Sequence, residues 1–297
     1  GLLRLLPALL RRGLERLDRV VATHGDADHV GGLAAVLEEL EVGELWVGRR
    51  RGEGLRRLFQ EAEARGIPLR VVEEGASFGA APAPAEAEVL HPWPDWDRDA
   101  DREAASANNG SIVLRVGLGR VAFLLAGDLE LAGEERLLEA GSALRAAVLK
   151  VGHHGSRSSS GESFLEAVDP LVALAGVGRD NRFGFPHASV SARLLRLGAP
   201  FYWTGRHGTL RACTDGWGLR VQRREGDGRL QELRRWSAEE LLAWSGRAQV
   251  VSKSERESRV GQPAPGDGGG RGGTRRELGR EGTRIDARAG ARIKRGK

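Results

Sequence analysis

The sequence predicts an α/β fold in which two sheets are flanked by helices, and three observations carry that expectation. Short apolar runs alternate with segments of helical spacing along most of the chain. Residues 111–116 and 120–126, joined across Gly117-Leu118-Gly119, read as a hairpin, so antiparallel pairs mix with helix crossovers and a purely parallel doubly wound sheet is excluded. Three strand-like runs end in aspartate or histidine clusters, which puts polar chemistry at the ends of buried strands.

In chain order, helical spacing over residues 2–17 gives way to a buried strand over 18–23. Residues 33–40 form an amphipathic helix; 44–47, 69–72 and 88–90 read as strands, with a helix over 53–64. Pro82, Pro84, Pro92 and Pro94, with Asp95, Asp97 and Asp99, mark a long surface loop, which makes His91 a loop residue. After the hairpin come a helix over 131–140, a strand over 146–151, a helix over 162–168, a strand over 171–175 and a helix over 190–197. Short strands follow near 201–204, 209–212 and 219–223. Ser237-Ala238-Glu239-Glu240 is a capping box that opens a last helix ending near Trp244.

Residues 1–245 therefore read as one folded domain, and residues 246–297, rich in Gly, Arg, Ser and Glu without periodicity, as a disordered basic tail. The net charge of +5 suggests nucleic acid until it is divided along the chain. The tail holds 14 Lys/Arg against 6 Asp/Glu, which leaves 32 against 35 in the domain, so overall charge gives the domain no basic footprint. No stretch approaches the roughly 18 uninterrupted apolar residues of a membrane helix; Arg4, Pro7 and Arg11 break the apolar opening. The chain lacks methionine altogether, and the expectation is a longer protein that has lost its beginning. The single cysteine, Cys213, excludes an internal disulfide and a thiolate cluster, so any metal is held by nitrogen and oxygen.

The stretch Thr23-His24-Gly25-Asp26-Ala27-Asp28-His29-Val30-Gly31-Gly32 crowds four ligating side chains onto a turn after a strand. A solvated acidic turn is the plain alternative, but the glycines permit tight geometry that such a turn does not require. One divalent ion would use some of these groups; two ions sharing a carboxylate would use all four. Asp128 ends the apolar run Leu124-Leu125-Ala126-Gly127, where an unpaired charge is costly; it reads as a metal bridge, as the N-cap of the next helix, or as both. Val148-Leu149-Lys150-Val151-Gly152-His153-His154-Gly155-Ser156 repeats the pattern with paired imidazoles.

Taken together, HxDxDH with two glycines, a strand ending in Gly-Asp and a strand ending in HHGS resemble the metallo-β-lactamase superfamily. Those motifs, with Asn108-Asn109-Gly110-Ser111-Ile112-Val113-Leu114-Arg115 and Asn181-Arg182-Phe183-Gly184, more narrowly resemble the C-terminal domain of ComEC competence proteins, inner-membrane channels for transforming DNA. The resemblance covers roughly residues 1–223.

It implies a four-layer αβ/βα sandwich with the metals at strand ends, its first strands missing, because members open with a hairpin bearing Asp/Gly motifs. It assigns His24 and Asp26 to a first metal, Asp28 and His29 to a second, Asp128 to the bridge, and His153 or His154 to completing the cluster. Most members have a histidine where Asp26 stands, so the donor set is richer in oxygen, and manganese is preferred over zinc or magnesium. Two divalent ions suit phosphodiester hydrolysis, with Asp28, Lys150 and Ser156 as catalytic candidates. Asn108, Asn109, Ser111, Asn181 and Arg182 are candidates for holding the substrate; the Asn pair also reads as a turn and Lys150 as surface charge. The family follows NRFG with His-Pro; here Phe185-Pro186 stands there, and His187 substitutes only if the loop shifts.

The implied activity is a metal-dependent nuclease processing DNA, on one strand, during uptake. The implied partners are single-stranded DNA, the membrane channel part of the same family and other competence proteins, and the implied location is a soluble domain on the extracytoplasmic side of an inner-membrane protein. Two alternatives keep the fold: a hydrolase of a small ester, thioester or lactone, and an inactive metal-stabilised module that guides DNA.

Overall fold

The computed structural model describes residues 5–48, 53–80, 85–94, 96, 106–226 and 228–247. The strands are β1 (Arg16–Ala22), β2 (Glu41–Val47), β3 (Leu69–Val71), β4 (Ser77–Ala80), β5 (Ala85–His91), β6 (Val113–Leu118), β7 (Val121–Leu125), β8 (Val148–Lys150), β9 (Val172–Ala175), β10 (Phe201–Trp203), β11 (Thr209–Thr214), β12 (Leu219–Arg224) and β13 (Leu230–Trp236). The helices are α1 (Leu5–Leu10), α2 (Ala27–Val30), α3 (Leu33–Glu39), α4 (Glu53–Ala64), α5 (Leu131–Glu139), α6 (Glu162–Val168), α7 (Ala188–Arg196), α8 (Thr204–His207) and α9, residues 238–247.

Among these residues the strands form three sheets, of order β1-β2-β3, β10-β9-β8-β7-β6-β5-β4 and β11-β12-β13. The first is parallel; the central sheet is parallel from β7 to β10 and antiparallel from β4 to β7. Side-chain alternation sorts the layers. In β1 and β2, Val20, Ala22, Leu45 and Val47 pack on Leu33, Val36 and Leu37 of α3 and Leu55 and Leu58 of α4. Val21 and Trp46 point the other way, against Val89 and Leu114 of the central sheet. On that same face Phe123, Val148 and Val172 meet Leu219, Val221 and Trp236 of the third sheet. The opposite face, Leu124, Leu149 and Ala173, is covered by Leu137 of α5, Phe164 and Leu165 of α6 and Leu194 of α7. Helices, sheet, sheet and helices thus make the αβ/βα sandwich, each fully buried leucine stabilising it by about 1.5–3 kcal/mol.

Several sequence expectations are corrected. The helix expected over 2–17 ends at Leu10, since Gly13 at φ +69° turns the chain and β1 already pairs with β2 from Arg16. The β-layer facing the central sheet carries a third sheet, because charged strand β13 adds to β12 although its pattern shows little apolar alternation. β4 was likewise not anticipated. His91 ends β5, wholly buried, and is no loop residue; it is held by the bond between its Nδ1 and Ser111 O (2.8 Å), and burial pushes its pKa down to about 4. The capping box forms as expected: Ser237 N donates to Glu240 and Glu240 N to Ser237 Oγ. Residues 82–84, 95 and 97–99 of the proline-rich stretch and the tail from residue 248 lie outside the described residues, and β5 occupies residues 85–91 of that stretch. No helix among the described residues is long and apolar enough to cross a membrane.

Candidate metal centre

Three strand ends meet at one cluster. The turn after β1 supplies His24 and Asp26, and α2 adds Asp28 and His29; the turn after β7 supplies Asp128, and the short 3₁₀ turn Gly152–Gly155 after β8 supplies His154. The turns are tied to one another by backbone bonds: Ile112 N donates to Thr23 O (2.9 Å), and His153 N to Gly127 O (3.2 Å). Gly127 has φ +55°, and a Cβ there would stand 2.8 Å from Ser111 Cβ, so this position needs glycine.

Asp28, His29, Asp128 and His154 each offer a ligand atom, all within 4.8 Å of one another. His29 Nε2 lies 3.0 Å from Asp128 Oδ1 and 3.1 Å from His154 Nε2; His154 Nε2 is 3.0 Å from Asp28 Oδ2 and 3.5 Å from Asp128 Oδ2. Next to this group, His24 Nε2 lies 3.7 Å from Asp26 Oδ2 and 3.8 Å from Asp128 Oδ2. Asp128 is therefore shared by two neighbouring donor sets. It and His24 form a buried floor, with side chains 4% and 3% exposed, whereas Asp26 and Asp28 stand at an open rim at 54% and 63%.

The donors are oriented from behind. His154 Nδ1 donates to Gly176 O (2.8 Å), just past β9, which leaves the Nε2 lone pair facing the cluster. Thr23 Oγ1 lies 3.1 Å from His24 Nδ1 and 3.2 Å from His29 Nδ1; accepting from both, it gives those rings the same tautomer. Ser111 Oγ accepts from Asp128 N (3.0 Å) and sits 3.3 Å from His24 Nδ1. Asp26 is the N-cap of α2 in position only, its carboxylate making no capping bond, and the N-cap of α5 is Glu130, so the capping alternative for Asp128 falls away.

The donor set fits a cation. His24 Nε2 is buried without a hydrogen-bond partner, and Asp128 Oδ1, also buried, has only the 3.0 Å approach of His29. Burial pushes the Asp128 carboxyl upward, but the adjoining His29, His154 and His24 outweigh it and hold the group well below the usual carboxylate range. Burial, then the neighbouring His29, lowers the His24 pKa and keeps it a neutral ligand.

The structure separates the two histidines left open by the sequence. His153 and His154 both adopt left-handed backbone, φ 43° and 54°, a conformation costing of order 1–3 kcal/mol per residue. The result is that His154 faces the cluster while His153 Nδ1 lies 3.2 Å from Glu130 Oε1. That bond raises His153 and lowers Glu130.

The other candidates divide. Lys150, on β8, donates to Val151 O (2.9 Å); burial lowers its pKa while Asp128 and Asp28 oppose the shift. Ser156 Oγ pairs with Ser158 Oγ (3.0 Å), which in turn bonds Glu130, so it belongs to that bracing network and not to the cluster. Asn108 Nδ2 approaches His153 Nδ1 at 3.4 Å. Buried Asn109 accepts from Glu130 N (2.9 Å), and Ser111 works behind His24 and Asp128; both brace the site instead of facing solvent. Asn181 closes its own loop, with Phe185 N and O each 2.8 Å away, and Arg182 is exposed. Phe185 packs against His153, ring centres 5.7 Å apart, and His187 N-caps α7 by accepting from Ser189 N, so no imidazole takes the place Phe185 holds.

Thr23, Glu130 and Gly176 O were not foreseen. Glu130 stands two residues after Asp128, but a lone glutamate at a helix start has an ordinary reading. Glu134 was missed too: buried, it accepts from Ser160 N (2.5 Å) and Gly161 N (2.7 Å), while Arg193 of α7 donates to Ser159 O (3.1 Å) and Ser160 O (2.7 Å). The two side chains clamp the segment that follows His154.

A sandwich of this layering with His/Asp donors at its strand ends defines a metal-dependent hydrolase fold, and the chain belongs to the metallo-β-lactamase superfamily, whose profile matches residues 1–179. Its curated relatives are ComEC-family proteins. It is 32% identical over 211 residues to ComE operon protein 3 of Bacillus subtilis, covering 69% of this chain and 26% of that protein. It is 33% identical over 220 residues to competence protein ComA of Neisseria gonorrhoeae, covering 74% and 28%, and 32% identical over 194 residues to recombination protein 2 of Haemophilus influenzae, covering 65% and 22%. The chain thus spans about a quarter of the length of these relatives.

Proposed function

We propose that this chain is the metal-dependent phosphodiesterase part of a ComEC-like competence protein and cleaves DNA, as a single strand, during uptake. The observation that carries the reading is the pair of donor sets joined at Asp128: His24 with Asp26, and Asp28 with His29 and His154. These residues would hold two divalent cations. Three carboxylates beside three imidazoles favour manganese over zinc or magnesium.

Such cations supply charge and Lewis acidity at a phosphoryl centre. The chain's own groups do the rest. Asp26 and Asp28 at the rim leave the cluster open to a polymer. Lys150, beside Asp28 and Asp128, places a cationic side chain under the phosphate, and Asn108 adds an amide donor on the same side. Without cations the carboxylates would repel a polyanion, so substrate binding and metal binding are coupled. The names of the relatives support the competence role, and on this reading the domain sits on the extracytoplasmic side of a membrane protein, beside its channel part and other competence proteins.

The test is incubation of the full chain with labelled single-stranded DNA in Mn²⁺, Zn²⁺, Mg²⁺ or EDTA. Manganese-dependent cleavage that Asp28→Ala abolishes is the expected result; no cleavage in any metal, with the parent indistinguishable from the variant, sinks the reading.

A further inference from the structure

Phe183 is a large apolar side chain that the fold leaves 64% exposed. It does not sit on a loose loop. Asn181 clamps the turn through both its amide atoms, donating to Phe185 O (2.8 Å) and Gly178 O (3.2 Å) and accepting from Phe185 N (2.8 Å). His187 N donates to Gly155 O (2.8 Å), which stitches the same loop to the turn carrying His153 and His154. The rings continue that link: Phe183 stacks on Phe185 at 5.6 Å and 22°, and Phe185 abuts His153 at 5.7 Å, which lies 6.5 Å from His154. Phe185 is half-buried and packs against the core, so its position has a folding reason; Phe183 has none of that burial.

The surroundings are cationic. The Arg182 guanidinium lies 5.1 Å from the Phe183 ring centre, and Arg179 and Arg206 are exposed on the adjoining segments, which pack together where Gly205 meets the Arg179 backbone. Asp180 is the acidic residue between Arg179 and Arg182. A largely exposed aromatic ring, with the Arg182 guanidinium over it and joined through Phe185 and His153 to the His/Asp cluster, matches the chemistry of an unpaired nucleobase with its flanking phosphates. A paired base cannot use it, because its faces are already covered in the duplex stack.

We propose that Phe183 is a stacking platform for an unpaired base of the strand whose phosphate reaches the His/Asp cluster, with Arg182 and Arg179 on the neighbouring phosphates. The inference rests on the nuclease reading and adds to it the residue that selects single strands. It is tested with the full chain, Mn²⁺ and a short phosphorothioate oligodeoxynucleotide carrying 2-aminopurine, read by anisotropy and by base fluorescence. Phe183→Ala weakens binding about tenfold, within the range found for removal of one stacked base, and abolishes the fluorescence quenching. Phe183→Trp restores both, and a duplex of the same sequence shows no dependence on residue 183. If the parent binds and cleaves but Phe183→Ala binds and quenches equally well, or if the variant weakens duplex binding as much, the inference is overturned with the nuclease reading intact. If the parent neither binds nor cleaves the strand, both fall.

Discussion

His29 Nε2 and His154 Nε2 stand 3.1 Å apart although 125 residues of chain separate them. Each ring has its Nδ1 engaged, by Thr23 Oγ1 and Gly176 O respectively, so two lone pairs converge on one another and on Asp128. That convergence is relieved by a cation. Adding Mn²⁺ to metal-free protein is therefore expected to raise the melting temperature, with about 2.7 kcal/mol of stabilisation when free metal reaches ~100 times its Kd, and EDTA is expected to reverse it. A melting curve that ignores the metal contradicts the site.

The neighbouring histidines should behave oppositely. His154→Ala removes a donor from the cluster and is expected to lower bound metal, measured by elemental analysis after gel filtration, by at least one equivalent per two retained by the parent. His153→Ala removes one of the partners of Glu130 and is expected to leave metal content unchanged. Equal losses in the two variants would show that both rings ligate.

Ser111→Ala tests the support behind the donors. Its hydroxyl holds the Asp128 backbone N–H and faces His24 Nδ1, both buried. Loss of such an orienting group is expected to weaken metal affinity by about 10- to 100-fold, read by competition with a chelating dye, and to leave the fold intact by circular dichroism. Unchanged affinity would show that Thr23 alone sets the His24 tautomer.

How much of this was visible beforehand follows from the kind of signal involved. The clustering of His24, Asp26, Asp28, His29 and Asp128 was legible because their two segments follow apolar runs, and charged groups there need a reason. The choice between His153 and His154 was not, since it depends on two successive left-handed residues that composition does not announce. The bracing groups Thr23, Glu130 and Glu134 were hidden for another reason: their partners are backbone atoms and side chains far away in sequence, and each has an ordinary role as turn, cap or surface charge. Strand β13 escaped because Leu230–Trp236 is mostly polar and exposed, held by ladder pairing with β12 more than by apolar alternation. The opening helix was overextended because apolar spacing continues past Gly13 into the first strand.

Glu134 carries a pH prediction that is independent of the metal donors. Burial pushes its carboxyl up to about 7 from 4.5, against the opposing pull of the Gly161 and Ser160 N–H groups and of Arg193. The folded-state value is raised, so the group's stabilising contribution is complete below the unfolded value near 4.5. As pH rises the unfolded chain releases its proton first, and the contribution is lost by the time pH passes about 7. The loss is on the order of 3 kcal/mol for a shift of this size. Glu134→Gln has no proton to release, and every other titration is common to both proteins. The melting temperature of the parent minus that of Glu134→Gln is therefore expected to fall between about pH 5 and about pH 8 in EDTA. A difference that stays flat or grows across that window would mean that the two backbone N–H donors and Arg193 keep the carboxylate ionised in the folded protein, and that the clamp on the segment after His154 is electrostatic.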